Sequence, residues 1–124
     1  MAYIGRDTLL KARPRVEEVE LPGLGTARVR GLTAAERGRI ESLVVDVDPE
    51  TQSVRYNADK AAEMNILLAA YGLLDEDGQQ MFDPGNAKDL EALKQVDGQI
   101  VGRIADKVRE LSGMDEAAAK KERS

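Results

Sequence analysis

The sequence of 124 residues contains no cysteine, no histidine and no tryptophan. The absence of cysteine excludes disulfides, thiolate metal ligands and a cysteine nucleophile. The absence of histidine excludes imidazole zinc ligands and the catalytic pairs in which histidine acts as the base. An enzyme built from this sequence would therefore have to rely on carboxylate pairs, lysine or metal-bound phosphates.

Aromatic residues and long apolar runs are also scarce. Aromatic residues make up 3 % of the chain, which leaves no evident platform for stacking single-stranded nucleic acid bases. The net charge of -5 opposes phosphate binding. No segment approaches the roughly 20 apolar residues of a membrane span, and residues 1–7 lack the pattern of a signal peptide. We therefore expect a cytoplasmic protein without nucleic-acid or membrane partners and without a cofactor.

The length predicts one folding unit, to which we assign residues 1–114. Residues 115–124 are small and charged, and we expect them to form a flexible tail. Within the domain, the pattern of apolar residues predicts an α+β fold that is mainly helical. An N-terminal β-hairpin is followed by about four helices, of which the second is central and buried.

The hairpin is predicted over residues 16–32, where apolar and charged side chains alternate. Only a loop with an odd number of residues, most simply Gly23 to Gly25, brings the apolar side chains of both strands to one face. The apolar side chains of this face are Val19, Leu21, Ala27 and Val29.

The same register pairs charges on the opposite face of the hairpin. Glu20 then lies across from Arg28, and Glu18 lies across from Arg30. Such cross-strand pairs stabilise a sheet by a few tenths of a kcal/mol each. The pairing favours a structural role for the two arginines over a phosphate-binding role.

The first two predicted helices differ in how much of their surface is apolar. A capping box of Thr33 and Glu36 begins the first helix, which runs to about Asp46 with a single apolar stripe that reaches Val47. Residues 48–53 form a polar connection. The second helix, capped by Asn57 and ending near residue 71, is apolar on almost every side, which predicts that it is covered by its own domain or by another subunit.

The remaining segments predict a turn and two further helices. Residues 73–82 read as a short hairpin or loop with Asp77-Gly78 at its turn. A short helix follows residues 83–86 and carries two leucines, and Asp97 caps a last helix that ends at Gly113. The apolar stripe of this last helix comprises Ile100, Val101, Ile104, Val108 and Leu111.

No motif for catalysis or metal binding emerges. Acidic residues cluster at residues 17–18, 46–50 and 75–77, but neither of the last two clusters has the glycine that a calcium loop needs at its sixth position. The glycines are not followed by the Lys-Ser/Thr of a phosphate-binding loop. A helix-turn-helix built on residues 33–47 would present Arg37 and Arg39 against an acidic background. Apolar surfaces that contact other proteins remain the leading interpretation, alongside an ordinary core.

The order of the segments resembles the tail assembly chaperones of siphophages, whose genes lie between the tail tube and tape measure genes. The resemblance covers roughly Thr8 to Met114. Its segments are Thr8-Leu9-Leu10, residues 16–22, residues 27–37, residues 73–78, Met81-Phe82 and Leu111-Ser112-Gly113-Met114.

The resemblance implies a non-catalytic chaperone that binds the tape measure protein and recruits tail tube subunits. It also implies release before the virion matures, homo-oligomers that coat a rod-like client, and a longer form made by ribosomal frameshifting near Lys120-Lys121. The alternative function is a structural virion component, such as a ring-forming head-tail completion protein. A metal-dependent enzyme would need divalent binding at the clusters of residues 46–48 or 75–77.

Two apolar surfaces are the candidate protein contacts. One is the hairpin face with Val19, Leu21, Ala27 and Val29. The other is the stripe of the last helix with Ile104, Val108 and Leu111.

Overall fold

The computed structural model describes residues 2–43, 45–47, 50–51, 54–56 and 58–114. A three-stranded antiparallel sheet and four later helices form an α+β fold, which confirms the predicted class. A one-turn helix before the hairpin was not predicted. The elements are α1 (Arg6–Leu10), β1 (Val16–Leu21), β2 (Gly25–Arg30), α2 (Ala34–Leu43), β3 (Val45–Val47), β4 (Val54–Tyr56), α3 (Ala58–Gly72), β5 (Leu73–Leu74), α4 (Ala87–Lys94) and α5 (Gly98–Leu111).

The hairpin has the predicted faces but a different register. Its loop has an odd length, as expected, but it spans residues 22–24, so that Glu18 lies across from Arg28 and Leu21 across from Gly25. The predicted pairs were therefore wrong by two residues. The Leu24 amide donates to the Leu21 carbonyl at 3.0 Å, and Gly23 has a φ of 80°. Proline and glycine thus occupy the central positions of a type II turn, which fixes the register.

The sheet gains a third strand from the segment that the sequence predicted as a short hairpin or loop, and Leu74 also forms an antiparallel bridge with Gln80. Strand β5 follows α3 directly and pairs with β2, which places β2 in the centre of the order β1-β2-β5. After β5, the chain turns at Asp77-Gly78, as predicted. The Asp75 amide donates to the Gln79 carbonyl at 2.7 Å, and Gly78 has a φ of 81°.

The segment after α2 differs from the prediction. Helix α2 ends at Leu43 rather than near Asp46, and β3 and β4 form a second antiparallel hairpin in which Val47 faces Val54. Val47 therefore belongs to a strand and not to a helical stripe. Alternating β-branched residues favour this pairing over helix continuation. The predicted cap Asn57 and most of the polar connection lie outside the described residues, as does the tail of residues 115–124.

Helix α3 occupies the centre of the domain, as predicted, and packs against α2, α4 and α5. Leu68, Ala69 and Ala70 are fully buried near its end. Helices α4 and α5 begin at the predicted positions, because Asn86 accepts hydrogen bonds from two amides of α4 and Asp97 accepts one from Gln99. Three helices therefore surround α3, and the hairpin packs on the outer one of these, α5.

Candidate protein-binding surface

The seven residues predicted to contact other proteins face one another in the structure. The hairpin lays its apolar face on α5, so both predicted surfaces belong to one core cluster. Val29, Val108 and Ile104 are 0 %, 0 % and 3 % exposed. Leu21 is also buried, and the rest are half-buried: Val19, Ala27 and Leu111. The prediction of two open contact surfaces is corrected, because each surface covers the other.

We call this contact between the hairpin and α5 the joint, and two glycines make it tight. A Cβ atom added to Gly72 would overlap the Val108 side chain and lie 2.9 Å from the Arg30 carbonyl oxygen. One added to Gly31 would lie 2.8 Å from the Leu111 carbonyl oxygen. Backbone segments approach too closely here for any side chain. At these two positions the joint therefore has no space for a further side chain.

Polar groups close one end of the joint through the capping box, which forms as predicted. The Thr33 amide donates to Glu36 Oε1 at 2.9 Å, and the Glu36 amide donates to Thr33 Oγ1 at 3.3 Å. Arg30 donates two hydrogen bonds to the same carboxylate, at 2.8 and 3.0 Å. Arg30 therefore pairs with Glu36 rather than with Glu18, the cross-strand partner that the sequence predicted, which lies across from Arg28 instead.

The Glu36 carboxylate is stabilised in its charged form. Partial burial raises the pKa of Glu36, but the hydrogen bonds from Arg30 and Thr33 lower that pKa by more, so it lies below the ordinary value of 4.5. Nearby, the Leu32 amide donates to Ser112 Oγ at 2.9 Å. These bonds connect the end of β2 and the start of α2 to the end of α5.

A lysine bridges the exposed flank of the joint. Lys107 Nζ lies 3.2 Å from Glu17 Oε1 on β1 and 3.3 Å from Glu110 Oε2 on α5. Its hydrogen bonds to Glu17 and Glu110, of which the first has the larger effect, raise the pKa of Lys107 above the ordinary value of 10.5. Lys107 and Arg30 are thus occupied in holding the fold together.

The acidic cluster at residues 75–77 has a structural role. Asp75 Oδ1 accepts hydrogen bonds from the Asp77 amide at 2.9 Å and from the Gln79 amide at 3.0 Å, which stabilises the turn after β5. Within the described ranges, no group of three or more acidic side chains could hold a metal ion. The side chains of Asp46 and Asp48 lie outside the described residues.

Large exposed apolar side chains concentrate near the N-terminus, in residues 3–10, which we call the arm. Tyr3 is 93 % exposed, Ile4 67 %, Leu9 59 % and Leu10 53 %. Helix α1, which contains the last two, has no buried residue. The arm therefore stands off the core and offers apolar surface to a partner.

A second apolar feature lies at the opposite end of the hairpin, between its turn and the start of α5. This groove has a volume of about 520 Å³. Leu24 (72 % exposed) and Val96 (40 % exposed) flank it. Its further lining residues are Pro22, Gly23, Asp97, Gln99, Ile100 and Arg103.

Sequence reasoning missed both features as contact surfaces. The arm carries two apolar pairs, Tyr3-Ile4 and Leu9-Leu10, among charged residues. Neither pair belongs to a periodic apolar pattern that would predict its burial. The absence of such a pattern is the signal from which the exposure of the arm could have been predicted. The groove gave no comparable signal, because Leu24 and Val96 are 72 residues apart in the chain.

Comparisons with known proteins do not assign the chain to a family. No family model matches it, and no curated protein or solved structure does. Among the described residues, no helix is long and apolar enough to cross a membrane.

Proposed function

We propose that the chain is a non-catalytic phage tail assembly chaperone that binds the tape measure protein and recruits tail tube subunits in the host cytoplasm. The observation that carries this proposal is the exposure of large apolar side chains in the arm and the groove. Elsewhere in this domain, the apolar faces of the hairpin and α5 cover each other in the joint. The resemblance of the ordered segments to the tail assembly chaperones supports it. On this proposal the chain leaves before the virion matures.

The groove is the proposed site for the tape measure protein. A long helical client presents apolar side chains at intervals of three and four residues along one face. A preformed groove with an apolar floor and a few polar rim groups receives such a face. Leu24, Val96 and Ile100 supply the apolar surface here, and Asp97 and Arg103 supply charges of both signs.

Local structure keeps the groove formed before any client arrives. On one side, the type II turn at Pro22-Gly23 holds Leu24 in place. On the other side, Asp97 Oδ1 accepts a hydrogen bond of 2.8 Å from the Gln99 amide and so fixes the first turn of α5. A preformed site loses little conformational entropy on binding.

Co-expression with the tape measure protein tests the proposal. We expect the tape measure protein to be soluble only when this chain is present, and to co-purify with it. The double substitution Leu24→Glu and Val96→Glu should abolish this effect, because it places two charges in the apolar groove. The control Met81→Glu alters an exposed apolar residue outside the groove and should leave solubility unchanged. A soluble client with the groove variant, or an insoluble one with the unaltered chain, would contradict the proposal.

Mass spectrometry of purified virions separates the chaperone from a ring-forming head-tail completion protein. A chaperone is absent from mature particles, whereas a completion protein is present in stoichiometric amounts. Detection of this chain at such levels would favour the structural alternative, for which the exposed arm is equally suited.

A further inference from the structure

Strand β1 has one free edge. In the part of the chain that the structure describes, β2 lies on one side of β1 and no strand lies on the other. The Gly31 amide donates to the Arg15 carbonyl at 3.0 Å, and this pair continues the register of the hairpin. Hydrogen-bonded and non-hydrogen-bonded pairs alternate along an antiparallel ladder. The odd-numbered residues of β1 therefore bond β2, whereas the backbone N–H and C=O groups of Val16, Glu18 and Glu20 point to the free edge.

The described residues leave this edge open. Val16 is 51 % exposed, and Glu18 and Glu20 are exposed as well. Helix α5 packs against the face of β1 that carries Val19, and α1 has no buried residue. No hydrogen bond joins the outward backbone groups of the three edge residues to another described residue. An edge with aligned, unbonded donors and acceptors is a template for a further strand.

The edge is acidic, and its carboxylates are not neutralised. Neither Glu18 nor Glu20 forms an ion pair with another residue in the ranges that the structure describes, although Arg28 lies across from Glu18. A depression of about 270 Å³ beside Glu18 is also lined by Asp75 and Glu76. Three of its charged lining residues are thus acidic, and Arg28 is basic. A strand that docks at this edge is therefore favoured by positive side chains.

The same charges disfavour a second copy of the chain at this edge. A second copy that paired antiparallel along the whole of β1 would place Glu18 against Glu18. Like charges directly opposite each other destabilise a pair of strands. Charged edge strands prevent pairing with themselves in this way. The same charge also selects a partner of opposite sign.

We propose that β1 binds an extended segment of another protein as a fourth, antiparallel strand, and that this segment alternates basic and apolar side chains. The basic side chains lie across from Glu18 and Glu20 on the outer face of the sheet. The apolar side chains between them lie on the α5 side, where half-buried Val19 offers apolar surface. Main-chain hydrogen bonds supply the affinity, and the alternation of side chains supplies the specificity.

A pair of N-methylated peptides tests the backbone pairing. The parent probe is a fluorescently labelled peptide, Lys-Val-Lys-Val-Lys-Val-Lys, and fluorescence anisotropy with the purified full chain measures its affinity. In the proposed pairing, the N–H groups of its lysines point toward β1 and those of its valines point away. Methylation of the lysine amides should raise the dissociation constant by roughly 30-fold or more, because up to three hydrogen bonds to β1 are lost. Methylation of the valine amides is the matched control and should leave the affinity nearly unchanged.

Variants of the chain test the contribution of charge. Glu18→Gln with Glu20→Gln should raise the dissociation constant of the parent peptide by roughly 5- to 10-fold, since two exposed charge pairs are lost. Glu63→Gln with Glu91→Gln removes the same charge from exposed positions on α3 and α4. This control should bind the peptide like the unaltered chain, and an equal loss of affinity in both double variants would contradict binding at the edge.

Amide hydrogen exchange locates the bound peptide. In the free chain, the amides of Val16, Glu18 and Glu20 should be less protected than those of Glu17 and Val19, which bond β2. Binding of the parent peptide should raise the protection of the first three by roughly 10-fold.

Three results would overturn the proposal: no binding of the parent peptide below about 1 mM, equal affinities of the two methylated peptides, or binding without protection of the edge amides. The groove and the edge share no residue. Failure at the edge therefore leaves the co-expression test of the groove unaffected.

Discussion

The joint and the arm contain the same kinds of apolar residue but in opposite surroundings. Ile104 in the joint is 3 % exposed, whereas Leu9 in the arm is 59 % exposed. In the joint, two apolar faces cover each other and close-packed backbone excludes further side chains. The arm has no second face to meet within its own chain. An apolar residue therefore stabilises this fold only where the chain supplies the surface that covers it, and elsewhere it is available to a partner.

The largest contrast is expected from truncating one aliphatic side chain in each region. Ile104→Ala should reduce the free energy of unfolding by about 3 kcal/mol, because it leaves a cavity between the hairpin and α5. Leu9→Ala should change it by less than about 0.5 kcal/mol. Urea denaturation of the two variants measures the difference. Equal losses of stability would show that the arm packs as part of the core.

A pair of glycine substitutions tests how tightly the joint is packed. Gly72→Ala should destabilise the fold by about 2 kcal/mol, since the added methyl group meets Val108 and the Arg30 carbonyl. Gly102→Ala, within α5, places a methyl group where no atom lies within 4 Å. It should stabilise the helix by about 0.5 to 1 kcal/mol. Thermal and urea unfolding should thus show that the two substitutions change the free energy of unfolding in opposite directions. A neutral Gly72→Ala would contradict the close approach at Gly72.

The polar end of the joint predicts a smaller, pH-dependent effect. Glu36→Gln removes the charge that Arg30 contacts and should cost about 1 kcal/mol at neutral pH. Because the pKa of Glu36 is lowered on folding, its contribution is complete above 4.5 and is lost as the pH falls through the lowered value. The free energies of unfolding of Glu36→Gln and of the unaltered chain should therefore converge at acidic pH.

An exposed ion pair provides the control for this pH effect. Glu41 pairs with Arg37 one helical turn away, and its side chain is 53 % exposed. Glu41→Gln should change the free energy of unfolding by no more than about 0.3 kcal/mol. A constant gap between Glu36→Gln and the unaltered chain at every pH would refute the role of the Glu36 charge.

Features that depend on neighbouring residues in the chain were predictable. The predicted capping residues Thr33 and Asp97 satisfy free amides two or three residues away, and Gly113 ends α5 with a φ of 70°. Their chemistry is local, so the spacing of a few residues is sufficient to recognise them. The parity of the hairpin loop was recognisable for the same reason.

Features that depend on distant segments were not predictable. The hairpin register is a different case, because its signal is local: parity allowed two odd-length loops, and Pro22-Gly23 selects the type II turn that shifts the register by two residues. Strand β5 exists because Arg28 and Val29 present a free edge to Leu74 and Leu73. The choice of the seven candidate contact residues has the same origin, since a periodic apolar face indicates burial but does not identify which surface covers it.

The sequence alone determined the fold class, the caps and the alternation that gives each hairpin strand an inner face, because these follow from interactions within a turn or a strand. The tertiary structure decided which apolar surfaces remain open. It joined the hairpin to α5, and it placed Leu24 and Val96 on either side of one groove while leaving Leu9 and Leu10 exposed. Burial depends on surfaces brought together from distant parts of the chain, and no local pattern contains that information.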